Sequence, residues 1–112
     1  MEYSENKYAN YVHESYGRNY YENKYGFITF QQYGDSVVIN TLYVLPEHRS
    51  SHHGSNLAQI AEGFAQGLGA KSLLCEIDTR SKTYDEAYTA ITKYGFKVKD
   101  MLGAWMILEK EL

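Results

Sequence analysis

The chain has 112 residues, of which 44% are hydrophobic and 22% charged, and its formal net charge is −3. This length predicts a single domain with one core, and the composition is typical of a soluble globular protein. No apolar run approaches the ~20 residues that span a bilayer. The mild acidity, with no basic stripe, argues against a nucleic-acid partner held by its phosphates.

The N-terminal third is rich in tyrosine, with eight of the 12 in the chain: Tyr3, Tyr8, Tyr11, Tyr16, Tyr20, Tyr21, Tyr25 and Tyr33. Residues 4–16 carry apolar positions at helical spacing, which predicts a helix that ends at Gly17. A tyrosine combines an apolar ring with a polar tip. Such a cluster is typical either of an interface or acceptor pocket, or of rings that cover one side of a sheet, and the sequence leaves both interpretations open.

Two strands that form a hairpin are predicted next. Residues 25–32 are rich in aromatic and β-branched side chains, and residues 37–44 form a second apolar run. The turn residues 33–36 separate them, so we expect the two strands to pair antiparallel.

A helix and a third strand follow a short polar loop. Apolar residues recur with helical spacing at Leu57, Ile60, Ala61, Phe64, Ala65 and Leu68, and Gly69 ends the pattern. Residues 73–77 form a short apolar strand. A strand, helix and strand in this order predict a right-handed crossover, which places residues 37–44 and 73–77 parallel in one sheet.

The last third predicts a helix and a closing strand pair. Thr83 and Glu86 have the spacing of a capping box, and the helix that they begin ends at Gly95. Residues 96–98 and 104–108 then read as two antiparallel strands around a turn near residues 100–103.

The polar loop between residues 44 and 55 has the character of an anion site. A strand that ends at a loop, followed at once by a helix, directs unpaired backbone N–H groups and the positive end of the helix dipole at one point. Such a point suits a phosphate or pyrophosphate.

The same loop resembles the acyl-CoA pyrophosphate loop of the GNAT-type N-acetyltransferases, whose pattern is V-x-P-x-x-(Q/R)-x-x-G-x-(G/A). The match consists of Val44, Pro46, Arg49 and Gly54, with His52 in place of the first motif glycine. The resemblance covers roughly residues 25 to 112 and implies an α/β (α+β) fold. Its sheet is mixed and mostly antiparallel, with a central parallel strand pair and flanking helices. The chain would then be one domain, residues 1–112, whose tyrosine-rich residues 1–24 form an abbreviated N-terminal segment.

The resemblance also implies a binding site for acetyl-CoA. Backbone amides of the loop would hold the pyrophosphate, and amides at the end of the preceding strand would polarise the thioester carbonyl. His52 would stand where glycine usually gives freedom of φ, and histidine tolerates a positive φ better than most residues. The expected cofactor-binding residues are Tyr43, Val44, Leu45, Arg49, Ser50, Ser51, His52, His53, Gly54 and Ser55.

Metal and thiol chemistry are not expected. Glu47, His48, His52 and His53 could suggest a metal site, but a helix that would bring His48 and His52 together is disfavoured by Pro46. Cys75, the single cysteine, lies in an apolar run and reads as a buried hydrophobe. One cysteine forms no internal disulfide and the N-terminus is too polar for a secretory signal, so we expect a cytoplasmic protein.

The motif indicates the catalytic residues less directly than it indicates the residues of the loop. The tyrosine that protonates the departing thiolate in the resembled family falls on Ile91 here. Tyr88 and Tyr84, which lie one and two turns before it, are the candidates for this acid, and Tyr88 is preferred because it is nearer. For a base, the candidates are Glu76, Asn40 with Thr41 through a water, and His48. An amine can also lose its proton to water, so a base residue is not essential.

The resemblance implies an N-acetyltransferase that moves an acetyl group from acetyl-CoA to a primary amine by direct attack. An abbreviated N-terminus favours a macromolecular acceptor, such as a protein lysine or N-terminus, or a pocket completed by a second subunit in a homodimer. The alternative is a CoA-binding or protein-binding module of the same fold without catalysis, with the tyrosine-rich segment as its interface.

Overall fold

The computed structural model describes residues 6–49 and 51–112. Ser50, one of the expected cofactor-binding residues, lies outside these ranges, as do Tyr3 and residues 4 and 5 at the start of the first predicted helix. The helices are α1 (Lys7–Tyr16), a 3₁₀ turn (Pro46–His48), α2 (His53–Leu68) and α3 (Tyr84–Tyr94). The strands are β1 (Asn19–Asn23), β2 (Gly26–Tyr33), β3 (Ser36–Val44), β4 (Ser72–Asp78), β5 (Lys97–Leu102) and β6 (Trp105–Glu111).

Within the described residues the strands form one six-stranded sheet in the order β1-β2-β3-β4-β6-β5. Every neighbouring pair is antiparallel except β3 and β4, which are parallel. Helix α2 makes the crossover between these two strands, as the strand–helix–strand pattern requires. The predicted fold, a mostly antiparallel sheet with a central parallel pair and flanking helices, is therefore confirmed.

The main core lies between the sheet and helices α2 and α3. Leu57, Ala61 and Ala65 of α2 are completely buried, and they share one core cluster with Val37 and Ile39 of β3. The small side chains of the two alanines let the helix lie close to the sheet. We call this side of the sheet the helix face and the opposite side the outer face. Core apolar residues alternate along β2 and β4, so the residues between them point to the outer face.

Helix α1 covers part of the outer face next to β1. Its Val12 is buried, and the ring of Tyr8 meets those of Tyr20 and Phe27 at centroid distances of 5.5 and 5.9 Å. Tyr11 and Tyr16 on the same helix are about half exposed. Some of the tyrosine rings therefore cover the sheet, while others stay at the surface. Both interpretations, rings that cover the sheet and rings that form an interface or acceptor pocket, stay open.

Three details differ from the sequence predictions. Strand β1 was not predicted, because its polar residues show no apolar alternation. Thr83 precedes α3 but makes no capping hydrogen bond; its hydroxyl instead lies 3.1 Å from that of Ser81. The final hairpin turns at Gly103, with φ of 64°, so β5 is longer than expected and extends to Leu102.

Candidate functional site

The parallel strands β3 and β4 separate before they end. Their pairing runs only from Ser36 opposite Ser72 to Ile39 opposite Cys75, although β3 continues to Val44 and β4 to Asp78. Parallel strands that part in this way leave a gap with unpaired backbone groups on each side. The gap lies where the two strands end.

A β-bulge accompanies this separation. Thr29 of β2 lies opposite Thr41 and Phe30 opposite Ile39, so Asn40 is the extra residue of β3. An extra residue bends the bulged strand and increases its twist, which turns the end of β3 away from β4. It also shifts the alternation of side chains, since both Ile39 and Leu42 contact the core.

The backbone amides that face the gap follow from the pairing of β3 with β2. The amide of Leu45 donates to the carbonyl of Tyr25 at 2.8 Å, so it is already engaged. Successive amides of a strand point to opposite edges, and Tyr43, two residues earlier, therefore also points to β2. The amides of Leu42 and Val44 point to the gap. Of the three amides expected to serve a ligand there, those of Tyr43 and Leu45 therefore point to β2 instead, and that of Val44 points to the gap.

The loop after β3 leads directly into the N-terminus of α2. His52 is the N-cap residue, and its φ of −89° is ordinary, so the expected positive φ at this position is wrong. The substitution of glycine by histidine therefore causes no backbone strain here. The His52 side chain makes no capping hydrogen bond, and the first amides of α2 therefore keep their capacity to bind an anion.

Arg49 is fixed against the end of β3. Its Nε donates to the carbonyl oxygen of Val44 at 2.9 Å, and its guanidinium carbon lies 5.5 Å from the centroid of the Tyr43 ring. These contacts hold a positive charge beside the loop and the first turn of α2. Such a position suits an anionic ligand.

A cavity of about 440 Å³ joins these parts of the structure. The end of β3 forms one wall, the loop and the first turn of α2 form the second, and α3 forms the third. Its lining includes two basic side chains, Arg49 and Lys93, and two carboxylates, Asp85 and Glu86. The full lining is Leu42, Tyr43, Val44, His48, Arg49, Ser51, Gly54, Ser55, Thr83, Asp85, Glu86, Ala87, Thr89, Ala90 and Lys93.

Most of the cofactor-binding residues expected from the sequence meet at this cavity. Leu45, His52 and His53 are not part of its lining, although they flank it along the chain. The wall contributed by α3 was missed. Glu86, Thr89, Ala90 and Lys93 follow a helical spacing on one side of α3, which could have indicated a second face of the helix next to the core-facing one.

Residues 3–96 match the model of the acetyltransferase (GNAT) family. The chain belongs to the GNAT family. Among curated proteins, no match to this sequence was found.

Solved structures with the same fold include several acetyltransferases. The PaiA N-acetyltransferase of Thermoplasma acidophilum, solved in complex with coenzyme A, shares 21% identity over 98% of this chain and 80% of its own, with a TM-score of 0.72. Ard1 of Thermoplasma volcanium shares 21% identity over 100% of this chain and 82% of its own, with a TM-score of 0.74. A Bacillus subtilis acetyltransferase in complex with CoA shares 16% identity over 92% of this chain and 83% of its own, with a TM-score of 0.66. At these identities the likeness establishes the fold alone.

In this GNAT protein the position of the missing tyrosine lies in the core, since Ile91 is 3% exposed. Neither Tyr84 nor Tyr88 is part of the cavity lining, and their rings lie 5.8 Å apart. Tyr84 packs against the core on the same side of α3 as Ile91, two turns away. Tyr88 is 36% exposed. Of the two tyrosines, Tyr84 is therefore the one that packs against the core of the domain.

Glu76 lies at the start of the gap, one residue after the last pair of β3 and β4. It points to the outer face, because its neighbours Cys75 and Ile77 are buried in the core on the helix face. The amide Nδ2 of Asn40 donates to its Oε1 at 3.2 Å. Asp78, the other carboxylate on this strand, is paired with Arg80, whose hydrogen bonds hold the pKa of Asp78 below its usual range.

Cys75 is 4% exposed, and burial, with a smaller contribution from Glu76, raises the pKa of its thiol to about 12. A thiol with this pKa stays protonated at neutral pH and is a poor nucleophile. Cys75 is therefore a core residue, as its apolar sequence context predicted.

We expect Cys75 in the folded protein to resist alkylation by iodoacetamide at neutral pH and to react after unfolding in guanidinium. Cys75→Ala should destabilise the fold by about 1–2 kcal/mol through a small cavity, since one heavy atom is removed from a packed site. Mass spectrometry of the alkylated protein and denaturant titrations measure the two effects. Rapid alkylation of the native protein would contradict the burial of this thiol.

The described part of the chain contains neither a metal-ligand cluster nor a membrane-spanning helix. Among residues 6–49 and 51–112, no group of three or more His, Cys, Asp or Glu side chains is placed to hold a metal ion. In the same ranges no helix has the length and apolar character needed to cross a membrane.

Proposed function

We propose that this protein transfers an acetyl group from acetyl-CoA to a primary amine, by direct attack of the amine on the thioester. The observation that carries the proposal is the cavity formed by the first turn of α2 and the end of β3, next to the gap between β3 and β4. This arrangement offers an anion site close to a pair of amides that can polarise a carbonyl group. The acceptor that we propose is a protein lysine or an N-terminal amine, and the net charge of −3 suits such a cation.

The pyrophosphate of CoA is placed at the N-terminus of α2. The amides of His53, Gly54 and Ser55 are the first of the helix and have no side-chain cap, so they can donate to phosphate oxygens. Arg49 and Lys93 add positive charge on two sides of the cavity. By sequence, Ser50 and Ser51 belong to the same loop and complete the proposed phosphate site.

The thioester is placed in the gap between β3 and β4. The amides of Leu42 and Val44 would donate to its carbonyl oxygen and stabilise the oxyanion that develops as the amine attacks. In this step the amine nitrogen forms a bond to the carbonyl carbon and loses a proton to a base. The C–S bond then breaks, and the CoA thiolate receives a proton from an acid. No covalent enzyme intermediate is required, which agrees with the burial of Cys75.

Glu76 is the proposed base. Its carboxylate lies at the gap on the outer face, while the proposed CoA cavity lies on the helix face, so an amine could approach from the side opposite the cofactor. The hydrogen bond from Asn40 fixes the orientation of this carboxylate. His48 is a less suitable base, because it lines the CoA cavity on the helix face.

The proposal is tested by incubating the protein with acetyl-CoA and candidate acceptors: peptides with a free N-terminus, peptides with an internal lysine and a blocked N-terminus, and a polyamine. We expect CoA release together with one acetyl group on a peptide amine by mass spectrometry. In the same assay Glu76→Gln should reduce kcat by about 10²–10⁴-fold, the usual contribution of a general base. Unchanged turnover of this variant would exclude Glu76 as the base.

The second candidate function is a CoA-binding or protein-binding module without catalysis. The observation that favours it is Ile91, an apolar core residue at the position of the family's catalytic tyrosine. Tight binding of acetyl-CoA with no acetylation of any of the acceptors above would support this function over the enzymatic one.

A further inference from the structure

Three histidine rings and a tyrosine ring lie together beside the proposed CoA loop. The ring of His53 stacks on that of Tyr25, with centroids 3.7 Å apart and an interplanar angle of 20°. The edge of His48 meets Tyr25 at 5.0 Å and His53 at 5.8 Å, and His52 lies 5.0 Å from His53. We call His48, His52 and His53 the histidine cluster.

The cluster is placed next to the anion site. His48 lines the cavity, His52 is the N-cap of α2 and His53 is its first residue. An imidazolium in any of these positions would add a positive charge to the end of α2 that already attracts anions. Tyr25 limits the movement of the His53 ring by stacking on it.

The charged groups around the cluster are mainly positive. The ammonium group of Lys24 lies 5.2 Å from the centroid of the Tyr25 ring, and Arg49 follows His48 along the chain. Glu47 lies in the same 3₁₀ turn as His48, and across the cavity α3 contributes Asp85, Glu86 and Lys93. Among the described residues, no carboxylate forms an ion pair with any of the three rings.

This environment disfavours protonation while the cavity is empty. Desolvation lowers the pKa of His53, and the nearby positive charges of His52, His48 and Lys24 lower it further. His53 is therefore neutral near pH 7 in the free protein. An anion bound at the N-terminus of α2 reverses the sign of the local field and favours the imidazolium form.

We propose that the histidine cluster makes the binding of acetyl-CoA proton-linked, so that the ligand binds with uptake of protons and more tightly as the pH falls. This inference rests on the proposed function, because it concerns the same cavity. The cluster would thereby regulate the occupancy of the site through pH in the range where histidine titrates.

The direction of the pH dependence follows from the linkage between ligand binding and proton binding. If the bound phosphates raise the pKa of a histidine, the affinity is constant well above the bound-state pKa. It then increases as the pH falls through that pKa, and levels off below the free-state pKa. Each unit by which binding raises a histidine pKa gives a tenfold gain in affinity. We therefore expect the dissociation constant of acetyl-CoA to fall by about tenfold or more between pH 8 and about pH 5.5.

The experiment is isothermal titration calorimetry with acetyl-CoA across this pH range, in buffers of different ionisation enthalpy, which count the protons taken up. The 3′-phosphate of CoA itself titrates near pH 6. The series is therefore repeated with dephospho-CoA, whose pyrophosphate does not titrate in this range, so that proton uptake with this ligand belongs to the protein.

His48→Gln and His53→Gln are the test variants, and His13→Gln on α1, away from the cavity, is the control. We expect either test variant to reduce the proton uptake and flatten the pH dependence with both ligands, while the control keeps both at the parent level. Circular dichroism and thermal melting check that each variant is folded.

The possible results separate the two proposals. Binding that strengthens by less than about twofold from pH 8 to about pH 5.5, or an unchanged slope in both test variants, would overturn the role of the cluster and leave the CoA site intact. Absence of binding at every pH would overturn the proposed function and this inference with it.

Discussion

Gly54→Glu is expected to abolish acetyl-CoA binding while the fold is retained. Gly54 is the second residue of α2 and lines the cavity, and a side chain there would point toward Leu42, Val44 and Ala90. A glutamate would therefore fill the space between β3 and α3 and place a carboxylate beside the proposed pyrophosphate. An acidic residue in the first turn is favourable for the helix itself, so the fold should not suffer.

Gly54→Ala is the matched control. A Cβ at this position would lie 3.8 Å from Leu42, 3.9 Å from Ala90 and 4.0 Å from Val44, which are ordinary van der Waals distances. Calorimetry should show a dissociation constant near that of the parent for alanine and at least about 100-fold weaker binding for glutamate, or roughly 2.8 kcal/mol. An unchanged dissociation constant for Gly54→Glu would show that CoA does not bind in this cavity.

Tyr84→Phe is expected to lower kcat by about 10²–10⁴-fold with little change in acetyl-CoA affinity, since a general acid acts on the leaving thiolate and not on the bound cofactor. The sequence places Tyr84 and Tyr88 equally on the side of α3 that carries Ile91, and Tyr88 is nearer to that position. We nevertheless propose Tyr84 as the acid, because it packs against the core and begins the helix shortly after β4, whereas Tyr88 is 36% exposed.

Tyr88→Phe serves as the control for this substitution, because it removes the same hydroxyl one helical turn away. We expect its kcat to stay within a few-fold of the parent, measured as CoA release with the acceptor that the assay described under the proposed function selects. If Tyr88→Phe is the impaired variant, the acid is Tyr88. If both variants keep full activity, water protonates the thiolate and no tyrosine of α3 is the acid.

Much of the fold follows from local patterns in the sequence. The apolar spacing from Leu57 to Leu68 predicts α2 within a few residues, because one helical face must cover the sheet. Gly17, Gly69 and Gly95 each end a helix with a positive φ that most other residues adopt only with strain. The antiparallel hairpin of β2 and β3 follows from its alternating strands and turn residues.

The parts that the sequence does not predict depend on tertiary contacts. Strand β1 is polar, and it exists because its backbone pairs with β2 and its Tyr20 packs on Phe27. The engagement of the Leu45 amide depends on its partner Tyr25, 20 positions earlier in the sequence. His52 needs no positive φ, because it serves as an N-cap, and the sequence pattern alone does not distinguish this role from a glycine-like loop position.

The candidate site likewise has one part that the sequence predicts and another that depends on tertiary contacts. The loop residues were predicted by motif, since Pro46, Arg49 and Gly54 have the spacing of the resembled pattern. The wall formed by α3 and the stacking of Tyr25 on His53 were not, because they depend on the packing of α3 and the β1–β2 turn against the loop. Contacts between elements of this kind carry no local signal in the chain.

The most direct test of the proposed site is an experimental structure of the complex with CoA. We expect pyrophosphate oxygens within hydrogen-bond distance of the amides of His53, Gly54 and Ser55. We also expect the thiol to lie in the gap between β3 and β4, beside the amides of Leu42 and Val44. A CoA molecule bound elsewhere on the protein, or one whose thiol lies outside this gap, would contradict the proposed site.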